Sequence, residues 1–500
     1  MRKRIRKGFA GLLAAVGIVI SCQIPVQAAS VEKVIGYRGD FNGDAQVNIA
    51  DAMMLEQYLT AQISVDSANY ADMNGDESLN AVDFAMLKQL LLSGAEPEAV
   101  TIEVEEDLMD APVKSLNPSL PSTGTDEILL FVIDCPDCQF EPQYTADVVQ
   151  DMVFGPEDPS SPFYPLESIS AYYQRASYGA LTIEGTTYKY SAQSSIATYY
   201  NDLDMLVDEV MAAFDAEIDY TKYDTNHNGK MDTMILAFAD SDKWWPYSSK
   251  YYGSQEYDGV CAGSVLAGGW PMSDVAGFVN TWVHELGHGM GLVDYYKYEN
   301  YGTEQYGLNG DAGWMMMDDA LGDMCCFDKL MYGWYTDSQV QKYTGGTQTF
   351  QLKSSQAEAN CIIIPRYADS GYLSEYILIE YATDTGNNQD GFKNSWWIQK
   401  MFDEGGIRIL HCDAEICEGM WGTEFKWSNY GLYYDKSNQK QRVLRLVNDF
   451  GGFFHTGDIV TNQTAGFRWY DKNGYQNVDI GVNIFIGELE NGTYCITISE

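Results

Sequence analysis

Histidine is scarce here, with five in 500 residues, so any close pair of them carries information. Basic residues are few as well. Thirty Lys and Arg stand against 72 Asp and Glu, a formal net charge of −42. So acidic a surface repels phosphate backbones and anionic bilayers, which excludes nucleic acid and a charged membrane as partners. A second Cys-x-x-Cys is missing, so Cys135-Pro136-Asp137-Cys138 lacks the partner pair of a four-cysteine zinc site. No pair of carboxylates stands out that would mark a glycoside hydrolase.

The apolar run at 8–20 is too short to span a bilayer comfortably. It follows Arg2, Lys3, Arg4, Arg6 and Lys7 and precedes Val26-Gln27-Ala28, a small-residue cleavage site, so 1–28 reads as a secretory signal. A membrane anchor is one alternative. Cleavage as a lipoprotein at Val19-Ile20-Ser21-Cys22 is another. Losing the signal's five basic residues and no acidic ones takes −42 to −47. Of ten cysteines, Cys22 leaves with the signal, and the odd remainder implies a free thiol or an intermolecular bond.

The most informative stretch is His284-Glu285-Leu286-Gly287-His288-Gly289-Met290-Gly291-Leu292-Val293-Asp294. On a helix, His284 and His288 leave one face a turn apart and can share a zinc ion. Glu285 sits beside the first ligand and can take a proton from water as a general base. Gly291 falls where the chain must turn back, and Asp294 can then offer a third ligand. Downstream lies Gly313-Trp314-Met315-Met316-Met317, where a Met beneath the ligands is the mark of metzincin peptidases.

Together these segments resemble the immune inhibitor A-like family of secreted bacterial metallopeptidases. Gly333-Trp334 and the stretches 375–380 and 406–413 are similar to further family features, and the likeness covers roughly 126–415. It implies zinc at His284, His288 and Asp294, catalysis by Glu285, and Met317 as the Met-turn residue. A tetrahedral intermediate also needs an oxyanion donor, for which Tyr295, Tyr296, Tyr298 and Tyr301 are candidates. Where the family often carries a long N-terminal pro-segment, only a short linker is read here.

Residues 36–93 hold a duplication. Asp40, Asn42, Asp44, Gln46, Asn48 and Asp51 occupy loop positions 1, 3, 5, 7, 9 and 12 of a calcium loop; Asp72, Asn74, Asp76, Ser78, Asn80 and Asp83 repeat them. Positions 7 would ligate through backbone carbonyls. Helices are predicted at 49–60 and 81–92, with Met53, Met54, Leu55, Leu59 and Met86, Leu87, Leu90, Leu91 as the core between them. The spacing, and one helix per loop, resemble a type I dockerin. That resemblance implies a cohesin partner on a cellulosome scaffold, met through positions 10 and 11: Ile49, Ala50, Ala81 and Val82.

A third loop, Asp224, Asn226, Asn228, Lys230 and Asp232, repeats the Asp-x-Asn-x-Asn-Gly start and is a further calcium candidate; the rival reading is a hairpin turn. His227 reads as a loop residue, and His411 and His455 as packed or surface residues.

The chain is therefore expected to be multi-domain: signal 1–28, α-helical calcium-binding dockerin 36–93, linker 94–125, α/β metzincin-like zinc peptidase 126–342, and β-rich C-terminal domain 343–500. The expected activity is a zinc-dependent endopeptidase acting on protein or peptide. It is expected to be secreted and cellulosome-associated at a bacterial surface, with Zn2+ and Ca2+ as cofactors. Two alternatives stand beside it, a cellulosomal glycan-degrading enzyme and a non-catalytic scaffold-docked binding protein.

Overall fold

The computed structural model describes residues 30–42, 44, 46–61, 70–76, 78–240, 242–251, 253–269, 271, 274–296, 315–319, 322–389, 405–419, 422–427, 441–448 and 453–500. The expected signal, Gly313-Trp314, Tyr298 and Tyr301 lie outside the described residues.

Strand β1 (Ser30–Tyr37) leads to the duplicated helices α1 (Ile49–Leu59) and α2 (Ala81–Ser93). Asn48 and Asn80 cap them identically, each accepting from the backbone two residues on. Leu55 and Leu87 are fully buried between them with Phe41, Ala52 and Ala71. Met53 and Met86 differ from expectation, at 56% and 37% exposed. Each short helix can bury only one narrow stripe against its twin.

The segment 94–125, expected as a linker, is largely structured and packed. Strand β2 (Ala99–Glu105) pairs antiparallel with β1, from Tyr37↔Ala99 to Ser30↔Glu105. A 3-10 turn at Pro112–Leu116 buries Val113, and Leu120 is buried too. Ser122 Oγ donates to the Tyr332 carbonyl at 2.8 Å, and Trp334 Nε1 to the Ser122 carbonyl at 2.6 Å. The Pro and Ser content signalled an open chain, but Val113 and Leu120 supply enough apolar surface to dock it.

The α/β region runs β3 (Gly124–Asp134), α3 (Ala146–Phe154), α4 (Ile169–Ala176), β4 (Leu181–Ser191), α5 (Ile196–Asn201), α6 (Leu203–Phe214), β5 (Met234–Phe238), β6 (Tyr247–Lys250), β7 (Ser264–Gly269), α7 (Val275–Gly289), α8 (Met316–Asp319) and α9 (Cys326–Met331). The sheet order is β4-β3-β5-β7-β6, parallel except for β6 at the edge. Both faces of β3 are covered, which explains its unbroken apolar run. Ile128, Leu130 and Val132 face a core shared with α7, while Leu129, Phe131 and Ile133 face one shared with α6.

The remainder is β-rich: β8 (Val340–Lys342), β9 (Thr347–Lys353), β10 (Cys361–Pro365), β11 (Glu375–Ala382), β12 (Gly406–Asp413), β13 (Ile416–Gly419), β14 (Gly422–Phe425), β15 (Leu444–Leu446), β16 (Ile459–Val460), β17 (Trp469–Tyr470), β18 (Gln476–Val478), β19 (Asn483–Glu490) and β20 (Thr493–Ser499). One sheet orders β15-β12-β11-β10-β8 and another β16-β19-β20-β9. Alternation along the first splits its side chains between two cores. Ile363, Leu378 and Leu410 enter the core that holds α7, whereas Ile362, Ile377 and Ile409 enter the core of the second sheet. The expected boundary at 342/343 is thus crossed by a common core, and by β8 pairing with β10.

Buried polar ties fasten the same junction. Lys329 Nζ, wholly buried, donates to Asp323 at 2.8 Å, Tyr178 Oη at 3.1 Å and the Ser355 carbonyl at 3.0 Å. Glu380 receives the Cys326 N–H at 2.9 Å and pairs with buried Arg408. Removing one partner of such a pair strands the other charge out of water. Lys329→Met should therefore cost about 3–5 kcal/mol of stability in urea denaturation. An unchanged midpoint would show that this pair does not hold the junction.

Candidate metal centre

Helix α7 carries the histidine motif. Asp274 caps it, accepting the Gly277 N–H at 3.1 Å, and Phe278, Val279, Trp282, Val283 and Leu286 bury its apolar face. Each such side chain contributes roughly 1.5–3 kcal/mol of burial. The helix ends as its glycine suggests: Gly291 has φ +109°, and Leu292 N–H returns to the Gly287 carbonyl at 3.2 Å. The former linker also helps, since Ser119 and Leu120 N–H both reach the Gly289 carbonyl at 3.0 Å.

That turn brings Asp294 back to the histidines. Asp294 Oδ1 lies 3.0 Å from His284 Nε2 and 3.2 Å from His288 Nε2. The three ligand atoms fall within 4.8 Å of one another. A tetrahedral zinc with bonds of 2.0–2.1 Å spaces its ligands about 3.3 Å apart, close to the two histidine–aspartate distances. The other ring nitrogens are engaged. His284 Nδ1 donates to the Met316 carbonyl at 2.8 Å and His288 Nδ1 to the Leu292 carbonyl at 2.9 Å. A carbonyl only accepts, so each Nδ1 keeps its proton and each Nε2 is left as a lone-pair donor.

The site favours positive charge. Burial acts to lower the His288 pKa, but the charge and hydrogen bond of Asp294 outweigh it and raise the value to about 9. Asp294 is held well below the usual carboxylate range: burial works against this, and the His288 charge overcomes it. Two imidazoles and a carboxylate around one point are donors that suit zinc.

Met317 packs under the helix where the motif has Gly287; a Cβ there would overlap the Met317 sulfur. Tyr332 Oη donates to the Gly287 carbonyl at 3.0 Å, and Tyr173 Oη to the Val283 carbonyl at 2.7 Å. Neither tyrosine is marked by any motif. Tyr295, a candidate oxyanion donor, is excluded from that role. It is fully buried and gives its hydroxyl to Asp328 Oδ1 at 2.9 Å. Burial pushes the Asp328 carboxyl up to about 7. Tyr296 instead lies over His284, with ring centroids 6.3 Å apart. Glu285 is 7% exposed beside His284, and its charge is felt at His288.

The duplicated loops close in register. Asp40 Oδ1 accepts Asp44 N–H at 3.2 Å, as Asp72 Oδ1 accepts Asp76 N–H at 3.2 Å. Asn42 and Asn74 accept the same two N–H groups, and Asp44 and Asp76 accept those of Gln46 and Ser78. Asp51 Oδ1 accepts Phe41 N–H at 2.9 Å, and Asp83 Oδ1 accepts Met73 N–H at 2.9 Å. Asp51 and Asp83 are fully buried, and neither pairs with a basic side chain among the described residues. Buried carboxylates without a counter-charge are costly, so a hard cation fits these oxygens. Ile49 and Val82 are 67% and 51% exposed, with Ala50 and Ala81 beside them.

A family model for the dockerin type I domain matches residues 38–92. Residues 38–92 are a type I dockerin domain. Dockerin domains bind calcium, and they imply docking to a cohesin in a cellulosome-like complex. No curated protein matches the chain. Two crystal structures of wild-type OgpA from Akkermansia muciniphila are similar to it at 12% identity, with TM-scores of 0.23 and 0.22. They cover 59% of this chain, and 85% and 90% of theirs. A likeness at that TM-score supports nothing about fold or activity. No helix among the described residues is long and apolar enough to cross a membrane.

The third loop shares three internal hydrogen bonds with the dockerin loops, and its position-2 N–H goes to Asp232 at position 9 rather than to a position-12 residue. Asp224 accepts the Asn228 and Gly229 N–H groups, Asn226 accepts Asn228 N–H, Asn228 accepts Lys230 N–H, and Asp232 accepts Thr225 N–H. His227 is an exposed loop residue. Asp126 is a neighbour that no motif signals: burial and the Asp232 charge push its carboxyl up to about 8. His411 is fully buried against Glu375, at 2.9 Å. All nine described cysteines are free thiols.

Two predictions follow from these geometries. Gly287→Ala should displace Met317 and weaken zinc binding roughly 10- to 100-fold, as loss of support around ligands commonly does. Competition with a chromogenic chelator measures this, and equal affinity would remove Met317 from the support of the site. Chelation of calcium from the dockerin should abolish the helical circular-dichroism signal of α1 and α2 and cohesin capture together, and Asp51→Ala should weaken calcium binding on the order of tenfold or more. Cohesin capture that survives EDTA would contradict calcium-dependent folding.

Proposed function

We propose that the chain is an extracellular zinc-dependent endopeptidase held on a cohesin scaffold by its dockerin. The observation that carries this reading is the convergence of His284 Nε2, His288 Nε2 and Asp294 Oδ1, with both Nδ1 protons held by carbonyls. The edge of the sheet supports a peptide as substrate. Antiparallel β6 packs against α7 and ends the sheet, so its outer backbone groups can pair with an extended chain.

A zinc ion held by these three side chains would supply Lewis-acid charge, which polarises a carbonyl and lowers the pKa of water to about 7. Glu285 is the catalytic base. Its carboxylate takes the proton of the attacking water and returns it to the leaving amine nitrogen. Tyr296, whose ring stacks over His284, is the candidate donor toward the developing oxyanion. The buried walls of α7, Met317 and Tyr295 keep the ligands from shifting as charge moves.

Glu285→Ala should retain one zinc per chain and lose casein cleavage by roughly 100- to 10,000-fold. Metal analysis and a casein digest of both proteins read this. Wild-type cleavage by the variant, or no zinc in the wild type, would sink the proposal.

A further inference from the structure

Far along the chain from the histidine motif, the β-rich region holds an open cavity of about 390 Å3. Its lining includes three basic groups, Arg366, Lys426 and Lys472, and three acidic ones, Glu375, Glu415 and Asp471. Every acid is already engaged. Glu375 pairs with Arg366 and His411 and accepts Tyr470 N–H; Glu415 pairs with Lys426. Asp471 accepts Asn473 and Tyr475 N–H and the Asn477 amide. No carboxylate is left over for a cation. An acidic ligand is opposed by the whole-chain charge of −42.

Beside Lys472, the groups that remain are neutral hydrogen-bonding side chains and two rings that each carry a cation over one face, Arg366 at 5.5 Å from the Tyr367 centroid and Lys426 at 5.0 Å from that of Trp427. Tyr367 is 65% exposed and lines the cavity. Trp427 lines the same cavity, and its Nε1–H is shielded from water with no acceptor among the described residues. Leaving such a donor unmet is unfavourable, and a ligand oxygen would relieve it. Ser370 adds a neutral hydroxyl, and Ser374 and Gln441 add an acceptor each, since the Ser374 hydroxyl donates to the Gly371 carbonyl and the Gln441 amide to Asp413. Ring faces beside neutral donors and acceptors complement a pyranose, which has an apolar C–H face and a hydroxyl edge. A peptide would want a free backbone ladder, whereas this lining is made of side chains.

We propose that this cavity binds a neutral saccharide of one or two rings. The volume lies near the lower end of small-ligand sites, which suits a short sugar rather than a long polymer groove. Such a site would hold the chain to glycan independently of the zinc centre.

Ligand-observed NMR and calorimetry on the full chain, with cellobiose, xylobiose and N-acetyllactosamine as probes and trialanine as the peptide probe, test this. At least one sugar should bind with a dissociation constant on the order of millimolar. Tyr367→Ala, at an exposed position, and Trp427→Phe, which keeps a ring and loses the N–H, should each weaken it about tenfold or more. Glu285→Ala should bind the sugar as the wild type does, so this site and the peptidase reading stand or fall separately. Three outcomes overturn the proposal: no saccharide binding at millimolar concentrations, trialanine occupying the cavity instead, or saccharide binding indifferent to both ring substitutions.

Discussion

The Nδ1 protons of His284 and His288 are held by two backbone carbonyls, and the chemistry assigned to this chain depends on those two hydrogen bonds. Without them either imidazole could rotate or change tautomer, and its Nε2 would cease to be a dependable donor. The carbonyl of Leu292 is set by the glycine turn at the end of α7. The carbonyl of Met316 is set from farther away. Met316 N–H bonds the Asp323 carbonyl at 3.2 Å, and the Asp323 side chain is gripped by Lys329. A buried ion pair on α9 thus reaches the first imidazole through two backbone links.

The dockerin obeys a different logic. Its core is a small cluster of its own, centred on Leu55 and Leu87. So few apolar residues bury little surface, and modules of this size need a further source of stability. The twin loops offer one, since their buried carboxylates bind cations only when folded.

Much of this was legible in the residues because it is local. A His-x-x-x-His spacing, a glycine that must take positive φ, and loops repeated in register are patterns written within a dozen positions. What stayed hidden is long-range. Nothing near Tyr173 or Tyr332 says that each hydroxyl will meet a carbonyl of α7. The segment 94–125 reads as linker by composition, yet Val113 and Leu120 find a docking surface made by residues far along the chain. Tyr295 was indistinguishable from Tyr296 in sequence; only packing against α9 turns one inward.

The sheet β15-β12-β11-β10-β8 has no solvent-facing side in its centre, because alternate residues belong to two different cores. A polypeptide stopped at the apparent boundary near 342 would leave the histidine helix with a missing wall and a raw apolar surface. The α/β and β-rich parts therefore cannot be shuffled as cassettes. The dockerin keeps a core of its own, whereas the rest must be inherited as one indivisible body.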